Sequence, residues 1–309
     1  MKFFRAVLPL LVALGVVLTA PNTLAHVKVV VIPMADDAPP PGAGLPPPPP
    51  LPEVENIVHV NLEGNGEYTD LRLAMNSIQG SNSNPYLIIL GEGEFVLTQT
   101  LNIKPYVSIR GAGIGKTTIQ GSIGTSHFDA HDSTLLKLIN HEDTTLSEMT
   151  IKNTSTRSNA IAISNIESSV QLLNLEVIVQ KAVNNYGIYN YPAEVDLKNV
   201  RVIVGLPGSS SNRKAFAVSN KDSIGDYKGL NIAAYGGSGS RGLNITGQSD
   251  VFVIDSNFVI NPGSGREALY IDTASDTSVV NTLIQGHIIQ PSGKQCFHVY
   301  SGTGAAINC

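Results

Sequence analysis

The sequence predicts an all-β solenoid, and three observations carry that prediction. Apolar residues recur in two columns. The first is Met149, Leu175, Val200, Leu230, Phe258 and Leu283, spaced 25 to 30 residues apart; the second is Ile161, Ile188, Phe216, Leu243, Leu269 and Phe297, spaced 26 to 28 apart. A period of this length marks stacked repeats, because one coil cannot bury its own apolar face and must share a core with its neighbours. The repeats are also rich in β-branched residues and Asn, Gly and Ser turns and lack a 3.6-residue rhythm, which excludes helical solenoids. Finally, apolar residues alternate with period two. In NVRVIV, Val200, Val202 and Val204 are expected to face inward and Arg201 and Ile203 outward; in AFAVS, Phe216 and Val218 inward and Ala217 and Ser219 outward.

The chain opens as a secretory leader over residues 1–25. Lys2 and Arg5 give a basic start, Ala6 to Ala20 is an apolar run broken only by Pro9, and Thr23-Leu24-Ala25 is a small-residue exit with cleavage expected after Ala25. The apolar run is shorter than the roughly 20 residues a membrane span takes, so the mature chain is expected to have no transmembrane segment and to be secreted, periplasmic or at the cell surface. Residues 26–56 hold a β-prone strip, HVKVVVIPM, and a proline-rich run from Pro39 to Pro52. Such a run favours extended polyproline II and acts as a semi-rigid spacer. Residues 57–309 are left for one repeat domain. Net charge is −5, which gives no electrostatic footprint for nucleic acid. The two cysteines, Cys296 and Cys309, are expected to close a disulfide over the last coil in an oxidising compartment.

Within each repeat, Asn174, Asn199 and Asn257 precede the first-column residue, and Gly229 takes that place once. Asn and Gly tolerate the left-handed geometry of a tight turn, and stacked Asn can bond along a ladder. Strand pairs of this length with Asn at the turn resemble the right-handed parallel β-helix of the pectate-lyase-like superfamily. GNGEYTDLRLAMNSI (64–78) followed by NPYLIILGEGEFVLTQTLNIKPYVSIRGAGIGKTTIQG (84–121) is similar to the opening of many such exported bacterial proteins, in which a short helix plugs the open end. Leu71, Ala74, Met75 and Ile78 share a helical face, as a plug requires. The resemblance spans about residues 57–305 and implies a single-stranded solenoid of nine to ten coils, a rod of roughly 45 Å at the usual strand spacing. The superfamily contains lyases, esterases, hydrolases, spikes and adhesins, so the fold alone does not assign a reaction.

The outward face of the second strand is the candidate site. Between the inward positions lie Ala162, Tyr189, Ala217, Asn244, Tyr270 and His298, and two residues on lie Ser164, Tyr191, Ser219, Thr246, Asp272 and Tyr300. Rings suit sugar C–H faces and amides suit hydroxyls, although exposed strands carry such residues without a ligand as well. Arg157, Arg213, Lys214, Arg241, Arg266 and Lys294 precede the same strand and, if evenly stacked, line one edge. An anionic glycan or envelope polymer would relieve their repulsion, as would Glu267, Asp272 or Asp276 nearby. A hydrolase site needs an acid and a base, and only Asp272 is expected on this face, with Asp276 in the next turn. An esterase site needs two outward Asp with an Arg clamp, and one Asp is missing. A lyase site needs carboxylates around calcium; Glu267 with Asp272 is a thin pair, with Arg241 or Arg266 as base.

Other motifs are weaker. His127, Asp129 and His131 in HFDAHD alternate as metal ligands on a strand would, yet read better as a turn. GIGKTT (113–118) lacks the first glycine of a phosphate loop, since Arg110 stands there. The asparagines of Asn153-Thr154-Ser155 and Asn244-Ile245-Thr246 are glycosylation sequons that matter only in a eukaryotic secretory pathway. The sequence therefore leads to an exported β-helix that binds a glycan without turnover. A lyase or hydrolase of acidic glycans, with calcium in the lyase case, is the alternative. The third reading is a homo-oligomeric spike or adhesin assembled through the N-terminal arm.

Overall fold

The computed structural model describes residues 56–208, 212–261, 264–289, 295–297, 299–301 and 306–307. The leader, the arm and proline-rich segment, Lys294, His298, the Cys296 side chain and Cys309 lie outside the described residues. The described chain is a right-handed parallel β-helix. One 17-stranded sheet bends along its length into two faces, here the first and second sheets, and an 8-stranded sheet forms the third. Each coil visits the three in order. Its strands pair in parallel with the coils before and after, as Ser168–Val179 does with Thr144–Asn153 and with Ala193–Gly205.

Three stretches of alternating sequence make one coil because two bends and a looser turn interrupt them. The sharpest bend joins the first and second sheets. One residue there takes positive φ in every stacked coil from Glu148 (58°) through Asn174 (51°), Asn199 (54°), Gly229 (67°) and Asp255 (53°) to Asn281 (46°). The amides bond along the stack: Asn174 Nδ2 donates to Glu148 Oε1 at 2.6 Å, Asn199 Nδ2 to Asn174 Oδ1 at 3.1 Å, and Asn281 Nδ2 to Asp255 Oδ1 at 2.6 Å. Each such bond contributes about 1 kcal/mol net. Each run of amides begins on a carboxylate, which can only accept.

The core is a stack of aliphatic rows. Val200, Val202 and Val204 are fully buried, as the alternation in NVRVIV requires. The helix Leu71–Ser77 buries Leu71, Ala74 and Met75 at one end of the coils, with Ile78 also buried just beyond it. Asp70 caps it by accepting from the Leu73 amide at 2.9 Å, and the Lys104 ammonium donates to the Asn76 and Ile78 carbonyls at its other end. This end of the core is thereby covered.

The apolar columns slip where the bends change character. Met149, Leu175, Val200 and Leu230 do stack, but the column continues with Ser256 and Thr282. Phe258 pairs with Ile232, and Leu283 with Asn257. Ser256 and Thr282 are buried and return their hydroxyls to the Ile254 and Val280 carbonyls, so a polar letter fills an inward place. The left-handed residue is correspondingly Asp255, not Asn257. In the second column, the true stack is Leu136, Ile163, Ile188, Val218, Leu243, Leu269 and Ile288. Ile161 and Phe216 belong two residues earlier, and Phe297 pairs with Val280 of the first sheet.

The cause is a kink in the third sheet. Ladder pairing skips Ala162, Gly187, Ala217 and Gly242, so two consecutive residues, such as Ala217 and Val218, are buried together. A Cβ at Gly187 would lie 2.4 Å from the Ala217 carbonyl oxygen, and one at Gly242 would lie 2.4 Å from that of Ala268. From Ala162 to Gly242 this row holds only alanine and glycine, whereas the coil before it fills the same place with the buried Leu135.

Candidate functional site

The kink sets which side chains stand on the third sheet. One outward row reads Ile161, Tyr186, Phe216, Arg241, Glu267, His287, one residue per coil. The next reads Lys137, Ser164, Tyr189, Ser219, Asn244, Tyr270, Ile289. Ala162 and Ala217, expected outward, are instead buried at the kink, whereas Phe216, expected inward, stands on the face. Ser164 and Ser219 join the row of Tyr189, Asn244 and Tyr270, one row away from the position expected for them.

The N-terminal half of the face is aromatic. Tyr186 and Phe216 stack at 4.7 Å with 8° between the rings. Phe128, from the segment preceding the strand Thr134–Ile139, closes on Tyr186 at 5.0 Å and meets Tyr189 edge-on at 5.4 Å. Ile161 and Ser164 are wholly buried in this region. Burial, helped by the neighbouring Tyr189, pushes the Tyr186 phenol up to about 12, so it remains a neutral hydroxyl. Burial also raises Tyr189. Tyr191 packs under the Lys221 ammonium at 4.5 Å.

The C-terminal half is charged. The Arg241 guanidinium lies 3.5 Å over the Tyr270 ring, and its Nη1 donates to Asn244 Oδ1 at 2.7 Å. Asn244 Nδ2 then donates to Ser219 Oγ at 2.9 Å. The Nε of Arg241 is 3.5 Å from Glu267 Oε2, and the Glu267 side chain is 9% exposed. Neither of these two buried atoms closes a hydrogen bond. A guanidinium braced on a ring and an amide, beside a carboxylate it does not fully engage, can polarise an anionic or carbonyl oxygen.

Other expected site residues fall elsewhere. Asp272 is the centre of a turn. Its Oδ2 accepts from the Gly247 amide at 2.7 Å, and its Oδ1 accepts from the amides of Ala274 at 3.1 Å and Ser275 at 3.0 Å and from Ser275 Oγ at 2.7 Å. Partial burial pushes its carboxyl up, but the Ser275 hydroxyl and the three amides outweigh this and hold it below the usual range. Glu267 and Asp272 sit five residues apart on extended chain, about 16 Å by strand rise, too far to share one calcium. The cations do not form one edge: Lys214 pairs with Asn184, Arg266 with Ser240 and Arg241 with Phe216, three different rows. Arg213 donates to the Lys181 carbonyl at 2.9 Å.

HFDAHD is a turn in which Asp129 Oδ1 accepts from the His131 amide at 2.7 Å. Among the described residues no group of three or more His, Cys, Asp or Glu is placed to hold a metal ion. Both sequon asparagines are buried and bonded, Asn153 to the Ile123 and Ile161 carbonyls and Asn244 as above. Sequence reading missed Phe128, Tyr186, Phe216 and His287 on this face. Correct register would have revealed all but Phe128, which arrives from a loop.

No protein-family model matches the chain, and no curated protein is similar to it in sequence. Its fold is that of several solved pectin methylesterases. The enzyme from Aspergillus niger superposes with a TM-score of 0.56 at 11% identity, covering 82% of this chain and 91% of that one. The enzyme from carrot gives 0.55 at 15% identity, covering 81% and 83%. A pectin methylesterase in complex with a hexasaccharide gives 0.54 at 12%, covering 81% and 90%. These likenesses establish a right-handed parallel β-helix shared with carbohydrate-active enzymes. No helix among the described residues is long and apolar enough to cross a membrane.

Proposed function

We propose that the protein is an exported carbohydrate-active β-helix that binds an acidic polysaccharide along its third sheet and removes ester groups from it. The Arg241–Glu267 pair, placed next to the Tyr186–Phe216 stack on one outward row, carries this reading. The aromatic half supplies faces for sugar rings, and the Arg241 guanidinium supplies a donor for a uronate or carbonyl oxygen. The fold neighbours that act on pectin esters support it.

The residues on the face favour ester removal over chain cleavage. Glycosidic hydrolysis needs two carboxylates flanking the bond, and Asp272 is spent on its turn. Ester hydrolysis needs one base to activate water and one cation to stabilise the oxyanion. Glu267 fits the first role and Arg241 the second. Tyr189, Tyr191, Asn244 and Tyr270 then position the polymer.

The test is incubation of the purified chain with methyl-esterified polygalacturonate, following polymer binding, methanol and new chain ends. Methanol without new ends is expected, and Glu267→Gln should lower it by about 10²-fold or more while binding persists. New ends would replace this reading with a lyase or hydrolase. The saturated turn around Asp272 favours a second reading, recognition without turnover, which predicts salt-sensitive binding and no methanol.

A further inference from the structure

His287 occupies the next place on the row of Arg241 and Glu267. The register pairs Arg241 with Glu267 and Glu267 with His287, so guanidinium, carboxylate and imidazole stand in three successive coils. Parallel strands bring same-row side chains to about 4.8 Å of one another. The pleat places His287 and Ile289 outward, while the intervening Ile288 packs against the core. His287 is exposed, whereas Glu267 beside it is buried, so the imidazole stands nearer to an incoming ligand. The strand His287–Ile289 follows Gly286, at φ 149°, where a Cβ would meet Ile260 Cγ2 at 2.3 Å. The chain thus passes a position open only to glycine directly before presenting the imidazole.

We propose that His287 is the general acid of this site. The proposal rests on the ester-removing reading above. Water adds to the ester carbonyl as Glu267 takes its proton, and Arg241 holds the developing oxyanion. The carbon–oxygen bond to the alcohol then breaks, and the protonated imidazole gives its proton to the departing oxygen. The products are one carboxyl and one alcohol, and proton exchange with solvent resets Glu267 and His287. An alkoxide is a poor leaving group, so a proton donor on its side of the carbonyl is what a site with a single carboxylate otherwise lacks.

The experiment compares His287→Gln with the unaltered protein on two probes, methyl-esterified polygalacturonate and a 4-nitrophenyl ester. Nitrophenolate leaves without a proton. The variant is expected to lose on the order of 10²-fold in methanol release and only a few-fold on the nitrophenyl ester, with unchanged melting. Equal losses on both probes, or no loss on either, overturn the role of His287. Absence of methanol from the unaltered protein instead overturns the ester reading itself, and this role with it.

Discussion

The bend between the first and second sheets and the outward face of the third sheet are both rows of side chains stacked one per coil, but they are filled differently. At the bend, polar side chains stack on polar side chains: Asn174 donates to Glu148 and Asn199 to Asn174, so each of these amides is satisfied by the coil before it. On the third sheet, the row changes from Tyr186 and Phe216 to Arg241, Glu267 and His287, and buried polar atoms of Arg241 and Glu267 close no hydrogen bond with each other. A repeated row stabilises the rod, whereas a row that changes chemistry from coil to coil leaves polar capacity for a ligand. The same geometry serves both uses because coil spacing matches side chain to side chain wherever the register holds.

Substitutions can break this contrast. The largest effect is expected where the third sheet has no spare room. Gly187→Val would place its Cβ 2.4 Å from both the Ala217 carbonyl oxygen and Val202 Cγ1 before its branch is counted. Backbone cannot yield as a flexible side chain does, so a loss of about 3 kcal/mol is expected in denaturant melts. A wild-type midpoint would show that the kink row tolerates bulk.

A paired comparison sharpens the contrast further. Asn199→Ala removes a bond to Asn174 and puts a β-carbon residue without a polar side chain at φ 54°, which should cost about 1–2 kcal/mol while leaving polymer binding unchanged. Tyr186→Ala removes the stack with Phe216 and should weaken binding to polygalacturonate about fivefold to tenfold, with a smaller effect on melting. If Asn199→Ala weakens binding as much as Tyr186→Ala does, the division between structural and functional rows fails.

The solenoid was legible because burial imposes period two within strands and a shared core imposes the coil period. Val200, Val202 and Val204 obey both rules. The plug was legible because Leu71, Ala74, Met75 and Ile78 mark one face. The site was only partly legible. Tyr189, Asn244 and Tyr270 read as outward residues of the candidate face and Arg241 and Glu267 as candidates beside it, but the kink at Ala162, Gly187, Ala217 and Gly242 breaks alternation, so Phe216 read as core and Ala217 as surface. His287 was hidden by a separate irregularity, since its partner is set by a register change between Glu267 and Leu269. Asp272 looked like an outward acid because sequence shows a carboxylate without showing the four donors that occupy it. Phe128 comes from a loop, whose path no periodicity records.

The smallest effect tests the bend from the opposite direction, by completing its ladder. Gly229 is the one gap between the two amide runs, at φ +67°. Asn tolerates that conformation, and a Cβ there would meet only Asn199 Oδ1 at 2.9 Å, the movable end of a side chain; its next neighbours, the Asn199 Cα and amide nitrogen, are 3.7 Å away. Gly229→Asn would let a new amide donate to Asn199 Oδ1, and it would also restrict the unfolded chain. Its own oxygen, however, would face Asp255 in the next coil, a carboxylate that only accepts and is already bonded by Asn281. That opposition keeps the expected gain to a few tenths of a kcal/mol, a rise of about 1 °C in Tm. Gly229→Ala should lose stability, because it carries the cost of positive φ with no amide to offset it. A gain from alanine equal to that from asparagine would show that chain entropy, and not stacked amides, is what the bend rewards.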